Sequence, residues 1–317
     1  MTSTTPSHTS AEIASQPACW RRAAESLPRY APALPRRGER VAVTGCGTSW
    51  FMAQAYAALR ESGGHGVTDA FAASEFPPGR GYDRILAISR SGTTTEVLDL
   101  LDRARAAGVP TSAITADPAT PVMAVADTVA VLHFADERSV VQTRFATTVL
   151  ALLRAHLEAE GALPDGVRPL ARAVQDAERA VAAPLAAEVR GAEQFTFLGR
   201  GWTYGLALEA GLKMREAAGA WTEAYPAMEY RHGPISITAP GRVAWAFGPL
   251  PAGLTEDITR VGGLLVAESG DATADLDPLA DLVRAQRLAV AVAEARGFDP
   301  DRPRHLTRSV VLRDHPA

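Results

Sequence analysis

Apolar positions along this chain fall into two alternating rhythms. VAVTG (41–45), ILAIS (85–89), PTSAIT (110–115) and DTVAVLHF (127–134) are short, nearly unbroken apolar runs, the signature of strands buried on both faces. Between them, apolar residues recur every three or four positions in SWFMAQAYAALRES (49–62) and TEVLDLLDRARAAG (95–108), and SVVQTRFATTVLALLRAHLEAE (139–160) reads as a long closing helix. A further helical pattern over 11–30, with Ile13, Ala14, Cys19, Trp20, Ala23, Ala24 and Leu27 on its apolar or small positions, is broken by PRYAPALPRRG. Buried strands alternating with amphipathic helices predict an α/β fold with a parallel sheet covered on both faces.

The rhythm then restarts. After the turn-rich GALPDGVRP (161–169) and an Ala-rich helix to about Glu188, QFTFLGRGWTYGLALEAGLKMRE (194–216) repeats RVAVTGCGTSWFMAQAYAALRE (40–61) as strand, G-x-G and helix. Gly199 and Gly201 follow Gly45 and Gly47 by the same 154 residues. Strands are expected at RVAWAFG (242–248) and GGLLVAES (262–269), and a helix at 277–297 leads into an irregular tail. A repeat spanning half the chain predicts two tandem doubly wound domains, the second shorter and less complete. The expected division is a disordered tail over 1–10, a first domain over 11–165 with an N-terminal helix, and a second over 166–317 with a C-terminal helix and tail.

Composition narrows the function classes. Among 317 residues, 47% are hydrophobic and 21% charged, and no apolar run approaches the ~18 residues of a membrane span. The opening MTSTTPSHTS lacks the basic and apolar regions of a signal peptide. Cys19 and Cys46 are the only cysteines, which fits a reducing cytoplasm and argues against a thiolate metal site. A net charge of −4 offers no basic footprint for nucleic acid. The expected partner is therefore a small molecule. Of the 32 Lys plus Arg, only Lys213 is a lysine, which marks the one position where a compact, titratable ammonium stands in place of a guanidinium.

Three segments carry candidate chemistry. In AISRSGTTTEV (87–97), five hydroxyl side chains lie between Ser89 and Thr95, where a strand hands over to a helix. Such a turn leaves N–H groups aimed outward at the positive end of the helix dipole. Ser89, Ser91 and Thr94 add donors, Gly92 permits close approach and Arg90 adds charge, so the turn suits a monophosphate; the plainer reading is an N-cap with Glu96 in the first turn, for which one hydroxyl suffices. In TGCGTSW the G-x-G lacks the third glycine of a dinucleotide fingerprint. Asp69, at about the ribose-binding distance, keeps an NAD reading open, while Thr48 and Ser49 suit sugar hydroxyls. In LEAGLKMREAAGAWTEAYPAMEYRHGPIS (208–236), Glu209, Lys213 and Glu216 share one helix face, either as an exposed ion-pair ladder or as an active constellation. His232, in a turn fixed by Gly233 and Pro234, can exchange a proton near neutral pH.

With GCGTSW, ISRSGTTTE, ERSVVQTRFATT, LGRGWTYGLALEAGLKMRE, EAYPAMEYRHGP and DPDRPRHLTRSV in this order, the chain resembles the sugar isomerase (SIS) family, in particular the isomerase half of glucosamine-6-phosphate synthase and related amino-sugar phosphate isomerases, deaminases and fructosamine deglycases. The resemblance implies two flavodoxin-like SIS domains, a cytoplasmic homodimer with sites near the subunit interface, and a phosphorylated sugar as substrate, with no cofactor or metal. It implies that Ser89, Arg90, Ser91 and Thr94 hold the phosphate, and that Thr48, Ser49, Gln142, Glu209 and Arg308 complete substrate binding. Glu216 matches the base that moves a proton between C1 and C2, with Lys213 beside it, and His232 matches the histidine that assists ring opening, often supplied by the partner subunit. Two departures stand out. The sequence has no N-terminal glutaminase domain, so generation of ammonia from glutamine is not expected. Arg308 stands where the synthase pattern has a lysine that forms a Schiff base, and guanidinium is no amine nucleophile. The expected function is isomerisation or deamination of an amino-sugar or sugar 6-phosphate, with a fructosamine-6-phosphate deglycase and a non-catalytic phosphosugar-binding module as alternatives.

Overall fold

A strand with apolar side chains on both faces is stable only where helices cover both, and the computed structural model, which describes residues 6–77, 79–271 and 273–312, shows that arrangement twice. In chain order it contains helices α1 (His8–Ala14), α2 (Gln16–Glu25) and α3 (Leu27–Tyr30), then β1 (Val41–Gly45), α4 (Thr48–Ser62), β2 (Thr68–Ala72), β3 (Arg84–Ile88), α5 (Thr95–Ala106), β4 (Thr111–Thr115), α6 (Val122–Val125), β5 (Thr128–Val131) and α7 (Arg144–Ala159). There follow α8 (Leu170–Ala182), α9 (Ala187–Arg190), β6 (Gln194–Gly199), α10 (Thr203–Ala218), β7 (Thr222–Pro226), β8 (Arg242–Phe247), α11 (Leu254–Arg260), β9 (Leu264–Val266) and α12 (Pro278–Ala295).

The first sheet has the order β2-β1-β3-β4-β5 and the second β7-β6-β8-β9, with every pair parallel. The second is the first without its fifth strand. In both, the order reverses beside the first strand after a crossover, which opens a crevice at the carboxyl ends of β1 and β3 and of β6 and β8. The paired glycines act alike in both copies. A Cβ on Gly45 would lie 2.7 Å from Ser49 Cβ, and one on Gly199 would lie 2.3 Å from Thr203 O, so each strand packs against its own following helix only without a side chain there. Gly47 and Gly201 turn the chain at φ of +53° and +55°.

Several boundaries differ from expectation. The pattern over 11–30 is three short helices, broken at Ser15 and Ser26. Of the disordered tail expected over 1–10, residues 1–5 lie outside the described residues, but His8, Thr9 and Ser10 are the first turn of α1, where the Ser7 side chain accepts the Ser10 N–H at 3.1 Å. The long helix expected from 139 starts at Arg144, leaving 138–143 irregular. Strand 127–134 ends at Val131, and β2 and β7 were not expected at all.

The division of the chain is also not the single cut expected at 165/166. One compact unit comprises 18–137, 144–171 and the tail from 307, and holds β1–β5; the other comprises 138–143 and 172–306 with the N-terminal residues to Pro17, and holds β6–β9. Segments near the chain ends and the irregular stretch before α7 are thus assigned out of sequence order, because burial partners decide where a segment packs.

Candidate active site

In the first unit, β3 ends at Ile88 and α5 begins at Thr95, so residues 89–94 form the turn at the sheet's carboxyl edge. Ser89, Arg90 and Ser91 are buried, and Gly92 has φ +64°, where a Cβ would strike Thr120 Oγ1 at 2.2 Å. Ser89 Oγ accepts the Gly92 N–H at 3.2 Å and Ser91 Oγ the Thr93 N–H at 3.3 Å. Thr94 occupies the N-cap position without a side-chain cap bond, so the plain capping account does not explain its hydroxyl. Among the described residues, the N–H groups of Ser91, Thr94 and Glu96 and the Thr94 hydroxyl have no hydrogen-bond partner. Three N–H groups and a hydroxyl at the start of a twelve-residue helix constitute a donor set for an anion. Thr48 and Ser49, both buried, begin α4 on the neighbouring strand's turn.

Arg90 differs from expectation in its engagement. Its Nη1 lies 3.7 Å from the buried Glu137 carboxylate, and its Nη2 donates to the Arg308 carbonyl at 3.0 Å. The tail that carries Arg308 crosses this turn: Thr93 Oγ1 and Ser309 Oγ are 2.9 Å apart, the Thr95 N–H donates to Val310 O at 3.3 Å, and the Leu312 N–H donates to Thr95 Oγ1 at 2.9 Å. The Arg308 guanidinium itself is held by the Asp136 carboxylate at 2.5 Å and by the Glu137 carbonyl. Sequence reasoning missed Glu137, although it opens the quoted ERSVVQTRFATT.

Asp69 answers the NAD question. It pairs with Ala42, the second residue of β1, and so lies toward the amino end of the sheet, away from the edge where a dinucleotide would bind. Its carboxylate accepts the Tyr82 hydroxyl at 2.7 Å.

In the second unit, α10 carries Glu209, Lys213 and Glu216 on one face, and that face is buried. Glu209 is 0% and Lys213 1% exposed, which excludes the solvated ladder. Lys213 Nζ lies 3.5 Å from Glu209 Oε1 and 2.5 Å from Glu216 Oε2, and only the Glu216 side chain, 19% exposed, opens outward. An ammonium between two carboxylates fixes the outer one in place, an arrangement that can serve proton transfer. Glu216 also borders a cavity of about 410 Å³ whose opposite wall is the 297–305 segment. Gln142, half-buried, belongs to this unit through segment 138–143. His232 ends a short helical turn, exposed and with no hydrogen-bond or ion-pair partner among the described residues. No hydrogen bond or ion pair joins it to the Glu209–Lys213–Glu216 cluster. Among the described residues no three His, Cys, Asp or Glu side chains are grouped so as to hold a metal ion, and no helix is long and apolar enough to cross a membrane.

Residues 36–159 match the model of the SIS domain family. That stretch, the larger part of the first unit, is similar to a SIS domain. The matched SIS span contains Thr48, Ser49, the 89–94 turn and Gln142, whereas Glu209, Lys213, Glu216, His232 and Arg308 lie beyond it. Glutamine–fructose-6-phosphate aminotransferase (isomerizing) from Gloeobacter violaceus is 29% identical over 86% of this chain, and that from Thermus thermophilus is 30% identical over 88%. The chain spans about half the length of these relatives, 52% and 53%. Among solved structures, glucosamine-6-phosphate deaminase from Thermotoga maritima superposes with a TM-score of 0.84 at 23% identity, over 96% of this chain and 100% of that one. Tagatose-6-phosphate ketose/aldose isomerase from Escherichia coli gives 0.78 at 19% identity, over 98% of this chain and 97% of that one. These likenesses establish the α/β fold of two parallel sheets along nearly the whole chain.

Proposed function

We propose that this chain belongs to the SIS family and is a phosphosugar isomerase or deaminase that acts on an amino-sugar or sugar 6-phosphate by moving a proton between C1 and C2. The observation that carries this reading is the buried Glu209–Lys213–Glu216 arrangement, with the Lys213 ammonium 2.5 Å from the single partly open carboxylate. The donors of Ser91, Thr94 and Glu96 anchor the phosphate, with Ser89 and Arg90 shaping the turn. Thr48, Ser49, Gln142 and Glu209 complete the contacts with the sugar. His232, exposed within one chain, assists ring opening in the site of a second subunit, which makes the working form a homodimer. Glu216 then takes the proton from the carbon next to the carbonyl or imine, giving an enediol or enolamine, and returns it to the neighbouring carbon. In the deaminase direction water adds to the resulting imine carbon and ammonia leaves. The relatives' names, the α/β architecture and the cysteine usage all accord with a cytoplasmic sugar-phosphate enzyme.

The tail favours a second reading. Arg308 offers no amine nucleophile and its guanidinium is engaged by Asp136, so a Schiff base from this position is not available. Deamination, and deglycation of a fructosamine 6-phosphate to a sugar phosphate and an amine, need no such lysine. Assays of released ammonia and released amine on a panel of hexose, hexosamine and fructosamine 6-phosphates separate these reactions. Glu216→Gln is expected to lower turnover by about 100- to 10 000-fold while sparing phosphosugar binding. Turnover close to wild type would remove Glu216 as the base, and wild-type binding without turnover on every substrate would make the chain a binding module.

A further inference from the structure

The N-terminal helix grips two irregular segments of the second unit, one at each of its ends. At its start, the N–H groups of His8 and Thr9 donate to the two carboxylate oxygens of Asp301 at 2.8 and 2.7 Å, and Thr9 Oγ1 lies 2.7 Å from Asp301 Oδ1 and 3.1 Å from Pro300 O. Asp301 belongs to the segment that walls the cavity beside Glu216. Four residues further along, the buried Glu12 carboxylate takes the other segment. Its Oε1 accepts the N–H groups of Arg138 at 2.5 Å and Ser139 at 3.4 Å, and its Oε2 accepts the Ser139 hydroxyl.

Segment 138–143 has no regular structure, yet Ser139, Val141 and Thr143 are buried within it. A buried irregular chain cannot leave its N–H groups to water and must find other acceptors. Glu12 supplies them from 126 residues away, in a charge-assisted form that is roughly twice as strong as a neutral bond. Ser139 Oγ also lies 2.9 Å from the Val141 carbonyl, so the clamp fixes the backbone up to the residue before Gln142. Asp301 in turn holds the helix that carries Glu12.

We propose that Glu12 is a positioning residue that sets Gln142 for the substrate through Ser139. The inference rests on the reading above in which Gln142 contacts the sugar. It is tested by steady-state kinetics on Glu12→Ala, Gln142→Ala, the double variant and Glu12→Gln, with unfolding midpoints measured alongside and with Glu216→Gln as the marker of the reaction itself. Gln142→Ala and Glu12→Ala are each expected to raise KM by about tenfold with kcat nearly unchanged, and the double variant by no more than either alone. Glu12→Gln, which keeps a carbonyl oxygen for the Arg138 N–H, is expected to recover KM to within about threefold. Losses in KM that multiply in the double variant, or a lowered midpoint with unchanged KM in Glu12→Ala, overturn the inference. A Gln142→Ala variant with wild-type KM overturns it too, while turnover removed by Glu216→Gln shows that the reaction reading survives. Should Glu12→Ala fail to fold, Ser139→Ala replaces it in the same cycle with the same expected outcomes.

Discussion

The two sheets are built alike and equipped differently. Each has a G-x-G turn after its first strand, where the first glycine admits the following helix, as the Cβ positions on Gly45 and Gly199 demonstrate. At the next strand end the copies part. After β3 the chain reads SRSGTT (89–94), whereas after β8 it reads GPLPAG (248–253), which has no hydroxyl and no charge. The helices part in the opposite sense. At the 154-residue offset, Ala55, Leu59 and Ser62 of α4 stand where α10 has Glu209, Lys213 and Glu216. On the proposed reading the anion donors stand on one copy and the Glu–Lys–Glu cluster on the other.

That division can be broken by writing one copy's residues into the other. Lys213→Leu gives α10 the residue that α4 has at Leu59, and removes the ammonium 3.5 Å from a carboxylate with no exposure at all. The expected cost is about 3–5 kcal/mol in urea unfolding, with turnover lost. Adding Glu209→Ala, the counterpart of Ala55, removes the stranded charge as well and is expected to restore most of the stability but none of the turnover. A single variant as stable as the wild type would mean that the buried triad is not coupled.

How much of this was legible in the sequence follows from what each residue's neighbours are. Strands β1, β3, β4, β6 and β8 are buried along almost their whole lengths, so apolar runs announced them. β2 (TDAFA) and β7 (TEAYP) are edge strands with mostly half-buried residues, and their mixed composition hides them. The spacing of Glu209, Lys213 and Glu216 gave their common face, but spacing is indifferent to burial, which tertiary packing decides. The hydroxyl turn was legible because five such residues exceed what a cap needs. Glu12 was not, nor were the contacts of the tail around Arg308, since their partners lie more than a hundred residues away.

A second difference between the copies concerns acid. His65 follows α4, and its counterpart at the same offset is Gly219, the left-handed cap of α10. His65 is fully buried, 5.7 Å from the His156 ring, and among the described residues neither of its ring nitrogens has a hydrogen-bond partner. Burial, and then the nearby Arg60 and His156 charges, push it down to about 4, and burial lowers His156 as well. The unfolded imidazole takes its proton near pH 6.5, so the unfolded state binds more protons between those values. Stability is therefore complete above about pH 6.5 and falls by roughly 3 kcal/mol as the pH approaches 4. The loss belongs to the first unit alone. Hydrogen exchange at pH 5 is expected to weaken protection in β1–β5 before β6–β9, and His65→Leu to flatten the slope; equal weakening in both sheets would assign the acid sensitivity elsewhere.

The smallest effect tests the donors themselves. Ser91 Oγ serves the turn by accepting the Thr93 N–H, whereas the Thr94 hydroxyl has no partner among the described residues. Thr94→Val keeps the branched shape and removes only that donor, so the turn keeps its form. One lost hydrogen bond to a charged oxygen corresponds to about a tenfold weaker Kd for a sugar phosphate. Pro249→Ala, in the apolar counterpart after β8, is expected to leave Kd unchanged. Titration of both variants with the same sugar phosphate decides the matter: weakening by Pro249→Ala equal to that by Thr94→Val would place the anion on both copies and end the division between them.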